Sequence, residues 1–373
     1  MRRLSLTYIY DRPDWPRFRW NQEHLAVQLA AVRHRQGRLV GRMEGLGFKL
    51  QAEASLETLS EEVVKSSEIE GEILDMNQVR SSIARRLGMD IGALTRVERN
   101  VEGVVSMVLD ATQNYDKPLT AERLFGWHAA LFPTGYSDLH KIKIGGWRDD
   151  ARGPMQVVSG PIERRKVHFE APRASRLEAE MQRFLAWFDG DVQVDLVLKA
   201  GVAHFWFVTI HPFEDGNGRI ARALADMMLA RSEKSRQRYY GISAQIRLER
   251  NKYYDHLEEA QKGDLDVTAQ LEWFLGCLGR AFDHAEETLA AVLQKARFWE
   301  AHAGQSFNDR QRLVVNRLLD GFEGKLTSSK YAKLAKCSQD TALRDIDDLL
   351  ARKVLAKQAA GGRSTAYVLT EIR

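Results

Sequence analysis

Residues 194–210 carry only two charged side chains, Asp195 and Lys199, and are otherwise almost wholly apolar. A helix that is apolar on nearly every face is stable only when other elements surround it. No segment reaches the ~18 uncharged apolar residues of a membrane span, so other parts of the chain must supply the cover. The expected fold is therefore mainly α, with this helix buried at its centre. Where the apolar run stops, the sequence reads His211-Pro212-Phe213-Glu214-Asp215-Gly216-Asn217-Gly218-Arg219-Ile220-Ala221-Arg222. Ile220, Leu224, Met227 and Met228 then recur at helical spacing. A rigid core element that ends on a histidine is a sound seat for a general base.

The residue types in this loop point to phosphate chemistry. Glycines at 216 and 218 permit positive φ and close backbone approach. A helix starting near Asn217 adds its positive dipole end and free N–H groups, which together make an anion site. Arg219 and Arg222 are i,i+3 and share one face of that helix. Two forked cations beside backbone amides suit a polyphosphate. Asp215 is placed to hold Mg2+, which favours one or two carboxylates plus phosphate oxygens. His211 is suited to take a proton from a hydroxyl near neutral pH. A lone Gly-x-Gly before a helix is ordinarily only a turn; the combination is what reads as nucleotide-dependent transfer onto a hydroxyl.

A second constellation lies upstream. Leu56, Leu59, Val63 and Val64 mark an amphipathic helix leading into Ser66-Ser67-Glu68-Ile69-Glu70-Gly71. Ser66 and Glu70 are i,i+4 and share a face, and Gly71 is a natural C-terminal cap. Taken alone, this is a solvated acidic helix end.

The loop resembles the motif H-P-F-x-[DE]-G-N-G-R-x-x-R of Fic-domain proteins and matches it at every fixed position. The resemblance implies a helical Fic bundle that transfers AMP from Mg2+-bound ATP to a Ser, Thr or Tyr hydroxyl of a target protein. It makes His211 the general base and Asp215 the metal ligand. Gly216, Asn217 and Gly218 become the anion hole, Arg219 a β-phosphate contact and Arg222 a γ-phosphate contact. Doc-type relatives, which phosphorylate, usually lack the second glycine and its arginine; both are kept here. Ser66-x-x-x-Glu70-Gly71 is similar to the family's inhibitory motif, whose glutamate pairs with the second arginine, here Arg222. A carboxylate there takes the cation that the γ-phosphate needs, so the expected enzyme is inhibited by its own chain. In some relatives the same glutamate aims water at the AMP–protein bond, so AMP removal is a further activity the resemblance allows.

Met155-Gln156-Val157-Val158 and Lys166-Val167-His168-Phe169 read as a β-hairpin, with Gly160 and Pro161 between them. The resemblance makes it a flap that binds the target segment by strand addition. Tyr254 and Gln261 stand where relatives contact adenosine, although position 261 is commonly Asn in them. His204 shares a helix with His211, but a one-helix zinc site uses i,i+4 histidines, so His204 reads as a hydrogen-bonded core residue.

The 373 residues divide by pattern into 1–95, an N-terminal module; 96–300, the catalytic domain; and 301–373, a small C-terminal domain. Tyr8, Tyr10, Trp15, Phe18 and Trp20, spaced by Pro13 and Pro16, form an extended aromatic arm packed on the body. This arm resembles the short module before some bacterial Fic domains. The arm's charged residues and prolines break any secretory signal, and Cys277 and Cys337 offer no disulfide framework. A cytoplasmic location, which also supplies ATP, is the expectation. In the tail, Leu313 to Leu319, Tyr331 to Ala335 and Thr341 to Leu350 read as three helices, with Cys337-Ser338-Gln339-Asp340 as a turn. Val354-Leu355, the glycine turn Gly361-Gly362-Arg363-Ser364, and Ala366-Tyr367-Val368-Leu369 read as a hairpin, completing a winged-helix outline. Residues 305–373 hold 13 Lys and Arg against 8 Asp and Glu, a surplus of five, whereas the whole chain is +4. That excess admits DNA as a partner, although Asp345, Asp347 and Asp348 on the third helix would face phosphate poorly. A homodimer is equally open, and no membrane partner is expected. The competing reading is a DNA-binding regulator that uses the Fic domain as a nucleotide sensor.

Overall fold

The computed structural model describes residues 8–90, 95–137, 139–160, 164–191, 193–319, 321–322, 324–358 and 365–370. They form two compact units, 1–286 and 287–373. The first holds a short 3-10 turn (Ile9–Asp11), α1 (Gln22–Glu44), α2 (Phe48–Ile69), α3 (Met76–Arg86), α4 (Arg99–Gln113) and α5 (Ala121–Leu131). Two hairpins follow, β1 (Tyr136–Ser137) with β2 (His140–Lys141) and β3 (Gln156–Ser159) with β4 (Lys166–Glu170). Then come α6 (Ala174–Asp189), α7 (Leu196–Ile210), α8 (Asn217–Glu233), α9 (Ser243–Leu248), α10 (Arg250–Lys262) and the first half of the long α11 (Thr268–Ala301), whose remaining residues belong to the second unit.

The apolar run is the central helix α7: every residue from Val197 to Ile210 is buried. Asp195 caps it by accepting from Val197 N at 2.8 Å, and α8 packs along it. The aromatic arm covers another side. Trp15 and Phe18 meet Trp206 edge-on, and Trp15 Nε1 donates to buried Glu180 at 2.9 Å. Tyr8 and Tyr10 pack on Phe169 of the second hairpin.

That hairpin is antiparallel, pairing Gln156 with Glu170 and Ser159 with Lys166, with an irregularity between Val157 and Val158. Met155 lies just outside the strand, though its carbonyl still accepts from Ala171 N at 2.9 Å; Pro161 falls outside the described residues. His168 fastens the hairpin to α10, with Nε2 on Ser159 Oγ at 2.6 Å and Nδ1 on Glu258 at 2.5 Å.

Helix α2 is fixed along its length by charge. Glu53 and Glu57 hold Arg80 of α3. Glu62 is buried and accepts from Ser243 N at 2.9 Å and from the Ser243 hydroxyl. Burial raises the Glu62 carboxyl pKa, and these hydrogen bonds pull it back.

The second unit contains α12 (Asp309–Leu319), α13 (Ser328–Leu334), α14 (Gln339–Ala351) and an antiparallel pair, β5 (Leu355–Lys357) with β6 (Tyr367–Leu369). Its core gathers Val314, Tyr331, Ile346, Leu349 and Leu355. Helix α14 begins at Gln339, not Thr341, because Ser338 Oγ caps it by accepting from Thr341 N at 3.2 Å. Asp345 also departs from expectation. Its carboxylate turns into the unit and pairs with Arg310 at 2.8 Å, with Asn308 at 3.0 Å and Tyr331 at 3.3 Å as further donors. The glycine turn 361–364 lies outside the described residues.

Two glycines test the packing. A Cβ on Gly103 of α4 would lie 1.8 Å from Ala130 O of α5, whereas one on Gly126 of α5 meets nothing within 4 Å. Gly103→Ala should lose at least ~2 kcal/mol by overpacking against backbone. Gly126→Ala should gain ~0.5–1 kcal/mol from helix propensity. Urea midpoints of the two variants check the opposite signs.

Candidate active site

His211 closes α7 in the left-handed region, with φ 51°. A β-carbon disfavours that conformation, so the surroundings must impose it. The clamp is Arg148, buried at 3% exposure. Its Nε donates to His211 O at 2.7 Å and its Nη2 to Pro172 O at 2.6 Å, while its own N–H reaches Pro212 O at 2.9 Å. Asp150 pairs with the same guanidinium at 3.1 Å and caps α6 through Ala174 N at 2.8 Å.

The imidazole is oriented as well as placed. Nδ1 lies 3.3 Å from Val208 O; a carbonyl only accepts, so the proton sits on Nδ1 and Nε2 keeps its lone pair. Burial pushes the His211 pKa down to about 4, with the Val208 contact opposing and nearby Arg148 adding to the fall. The ring is neutral at pH 7 and can accept a proton.

The loop beyond is held by its own residues. Asn217 Oδ1 accepts from Phe213 N at 3.0 Å and Nδ2 donates to Phe213 O at 2.9 Å. The Asn217 side chain therefore staples the loop, and only its backbone is left to face an anion. Phe213 in turn stacks on His128 with ring centroids 4.3 Å apart. Gly216 has φ 79°, and a Cβ there would lie 2.9 Å from the Phe132 ring. Asp215 accepts from Gly216 N at 2.5 Å and from the Ser137 hydroxyl of β1. Among the described residues no three His, Cys, Asp or Glu side chains gather around one point. A cation here would rely on Asp215 and ligand oxygens, a donor set that fits Mg2+.

Both loop arginines lie buried on one face of α8, each with a carboxylate from the end of α2. Arg222, 1% exposed, donates Nε to Ser66 Oγ at 2.9 Å, and Nη2 to Ser66 O and Glu70 Oε1, both at 2.8 Å. Burial works against its charge, and Glu70 together with Tyr253 and Tyr254 more than offsets it. Gly218 makes this approach possible, since a Cβ there would stand 2.2 Å from Glu70 Oε1. Gly71, at φ 90°, ends α2 in the conformation expected of a glycine cap. Arg219 pairs with Glu72 at 2.7 Å and lies over the Phe132 ring.

Helix α10 supplies the remaining wall. Tyr254 is half-buried with Arg250 against its ring, and Arg250 Nε donates to Ile69 O at 2.8 Å. Gln261 is buried, its Nε2 3.4 Å from Thr209 Oγ1 of α7. His204 is a hydrogen-bonded core residue, with Nε2 3.1 Å from the Tyr253 hydroxyl. Three residues of this region, Arg148, Glu72 and Ser137, are not among those expected from the sequence. Glu72 alone had a usable cue, because a second acid two residues after Glu70 follows a glycine that redirects the chain.

The site thus joins a neutral histidine on a strained helix end to an amide-rich loop with two buried arginines. Residues 118–229 match the Fic/DOC family, and residues 8–89 match a domain of unknown function, DUF4172. The chain therefore carries a Fic domain. It is 27% identical over 235 residues to the Protein adenylyltransferase Fic of Culex quinquefasciatus, covering 62% of this chain and 42% of that protein. The counterpart from Aedes aegypti is 28% identical over 236 residues, again 62% of this chain and 42% of the relative. The matched chain thus spans about two fifths of these curated relatives. Among solved structures, a Fic family protein from Desulfovibrio desulfuricans superposes with TM-score 0.53 at 20% identity, covering 94% of this chain and 96% of the other. A Fic domain containing signaling protein from Bacteroides thetaiotaomicron gives 0.51 at 19% identity, covering 70% and 97%. Both share the fold.

Burial also lowers the pKa of His128 to about 4 and of His204 to about 3. The unfolded chain, at ~6.5, takes up these protons first. Stability is therefore full above pH 6.5 and is lost as pH falls toward 4, by ~1.4 kcal/mol per pH unit for each buried histidine. Urea unfolding at pH 7 and pH 5 should show this loss, and His204→Asn should make the dependence shallower.

Proposed function

We propose that this protein is an adenylyltransferase that moves AMP from ATP to a hydroxyl of a target protein, and that its own α2 holds it inactive. The observation that carries the reading is the single cluster of a neutral His211 with free Nε2, the Gly216–Gly218 backbone, and Arg219 and Arg222 on one helix face. The target hydroxyl would give its proton to His211 Nε2 while its oxygen bonds to the α-phosphorus. The bond from that phosphorus to the β-phosphate bridging oxygen breaks, and pyrophosphate leaves. The backbone N–H groups of 216–218 would stabilise the charge on the α-phosphate. Arg219 and Arg222 would hold the β- and γ-phosphates, and the Tyr254 side of α10, with Gln261, would meet the adenosine. Mg2+ bound at Asp215 would neutralise phosphate charge and fix its orientation.

Glu70 on Arg222 supports inhibition in cis. The γ-phosphate would have to displace a carboxylate from a buried guanidinium, and like charge repels the two. The hairpin β3–β4, with Val158 and Val167 both 38% exposed, is the proposed dock for the target backbone. The same site could return AMP to water if Glu70 orients a water molecule.

For the second unit, three helices and a hairpin support a winged-helix reading. Burial of Asp345 against Arg310 removes one acid from the face that would meet phosphate, which favours nucleic-acid contact through 305–373 as a second function. A DNA-dependent regulator built this way would not need His211.

Incubation with labelled ATP tests the first reading. Glu70→Gly should raise AMP incorporation at least ~10-fold, the scale of releasing one buried charge-assisted pair. His211→Ala in that background should lower it by ~100-fold or more. A mass gain of phosphate instead of AMP, or specific DNA retention with no transfer, would favour the alternatives.

A further inference from the structure

The end of α2 carries two acids, and they reach different arginines. Gly71 turns the chain at φ 90°, and the cap closes with Gly71 N on Glu68 O at 3.1 Å and Glu72 N on Ser67 O at 3.0 Å. Glu70 thereby goes to Arg222 at 2.8 Å and Glu72 to Arg219 at 2.7 Å. Arg219 is 5% exposed, so its charge faces few competitors for Glu72. The other Glu72 oxygen is held from α4 by Asn100 Nδ2 at 3.4 Å, a support that Glu70 lacks among the hydrogen bonds of the described residues. Arg219 Nε and Arg222 Nη1 are buried donors without a protein partner among the described residues. Such groups are costly unless a ligand takes them.

The order along α8 separates the two pairs. The loop amides come first, Arg219 follows, and Arg222 lies nearly one turn later. A polyphosphate running from the loop along the helix meets Arg219 before Arg222. A diphosphate therefore reaches only the cation that Glu72 occupies, whereas a triphosphate reaches both.

We infer that Glu72 is a second specificity-determining residue of this site, controlling access of the middle phosphate to Arg219 independently of Glu70. The inference rests on the nucleotide-transfer reading above. It makes the α2 terminus a two-pronged block in which removing Glu70 frees only the outer half of the phosphate track. Glu72 is 34% exposed in its side chain, so an isosteric change there should leave the fold intact.

Calorimetric titration of MgADP and MgATP into the full chain tests this, using wild type, Glu70→Gly, Glu72→Gln and the double variant. MgADP affinity should rise about tenfold in Glu72→Gln, the change expected when one charge-assisted pair stops competing, and stay within about twofold in Glu70→Gly. MgATP affinity should rise in both single variants and most in the double. Asn100→Ala should shift MgADP binding in the same direction by less. If Glu70→Gly strengthens MgATP binding while Glu72→Gln changes neither nucleotide, the role of Glu72 is overturned and the nucleotide reading stands. If none of the four proteins binds either nucleotide, both are overturned.

Discussion

The site is organised around a buried guanidinium that needs an anion. Arg222 has 1% of its surface exposed, and a charge so placed is tolerated only when it is paired and hydrogen-bonded. In this structure α2 meets that need through the Ser66 hydroxyl, the Ser66 carbonyl and the Glu70 carboxylate. Any phosphate entering the loop must replace a partner already matched in charge and geometry. On the proposed reading, inhibition and phosphate recognition would be two uses of the same side chain, with the equilibrium between them set by which anion Arg222 prefers.

The rest of the first unit makes that competition strict. Glu62 and its Ser243 donors fix α2 along its length, so the Glu70 end is presented rather than free to search. Gly218 keeps the approach open, because any side chain there would collide with the Glu70 carboxylate. Arg148 performs the matching task for the base. It satisfies the carbonyl of a residue in left-handed geometry and joins that residue to the segment after β4 and, through Asp150, to the start of α6.

Much of this was legible in the sequence because the signals were local. The charge-poor run before His211 could only be a buried helix. The positions of Gly216, Gly218, Arg219 and Arg222 within one loop and one turn of helix left little freedom in where the two arginine side chains could stand. The hairpin followed from short-range pattern. What escaped was long-range pairing. Arg148 and Ser137 act on residues 63 and 78 positions away, and nothing in their own neighbourhoods marks them. Asn217 sat in a glycine-rich phosphate motif, yet its side chain is turned back to hold Phe213. Asp345 read as a surface acid by helix spacing, and only the fold brings Arg310 to it.

A crystal structure of the Glu70→Gly chain with Mg2+ and a non-hydrolysable ATP analogue tests the central claim most directly. The γ-phosphate should lie on Arg222 in the position the Glu70 carboxylate holds here, with the cation on Asp215 and the α-phosphate within reach of His211 Nε2. A nucleotide bound elsewhere, or bound in the loop with Arg222 still turned to Ser66 and away from phosphate, would contradict it.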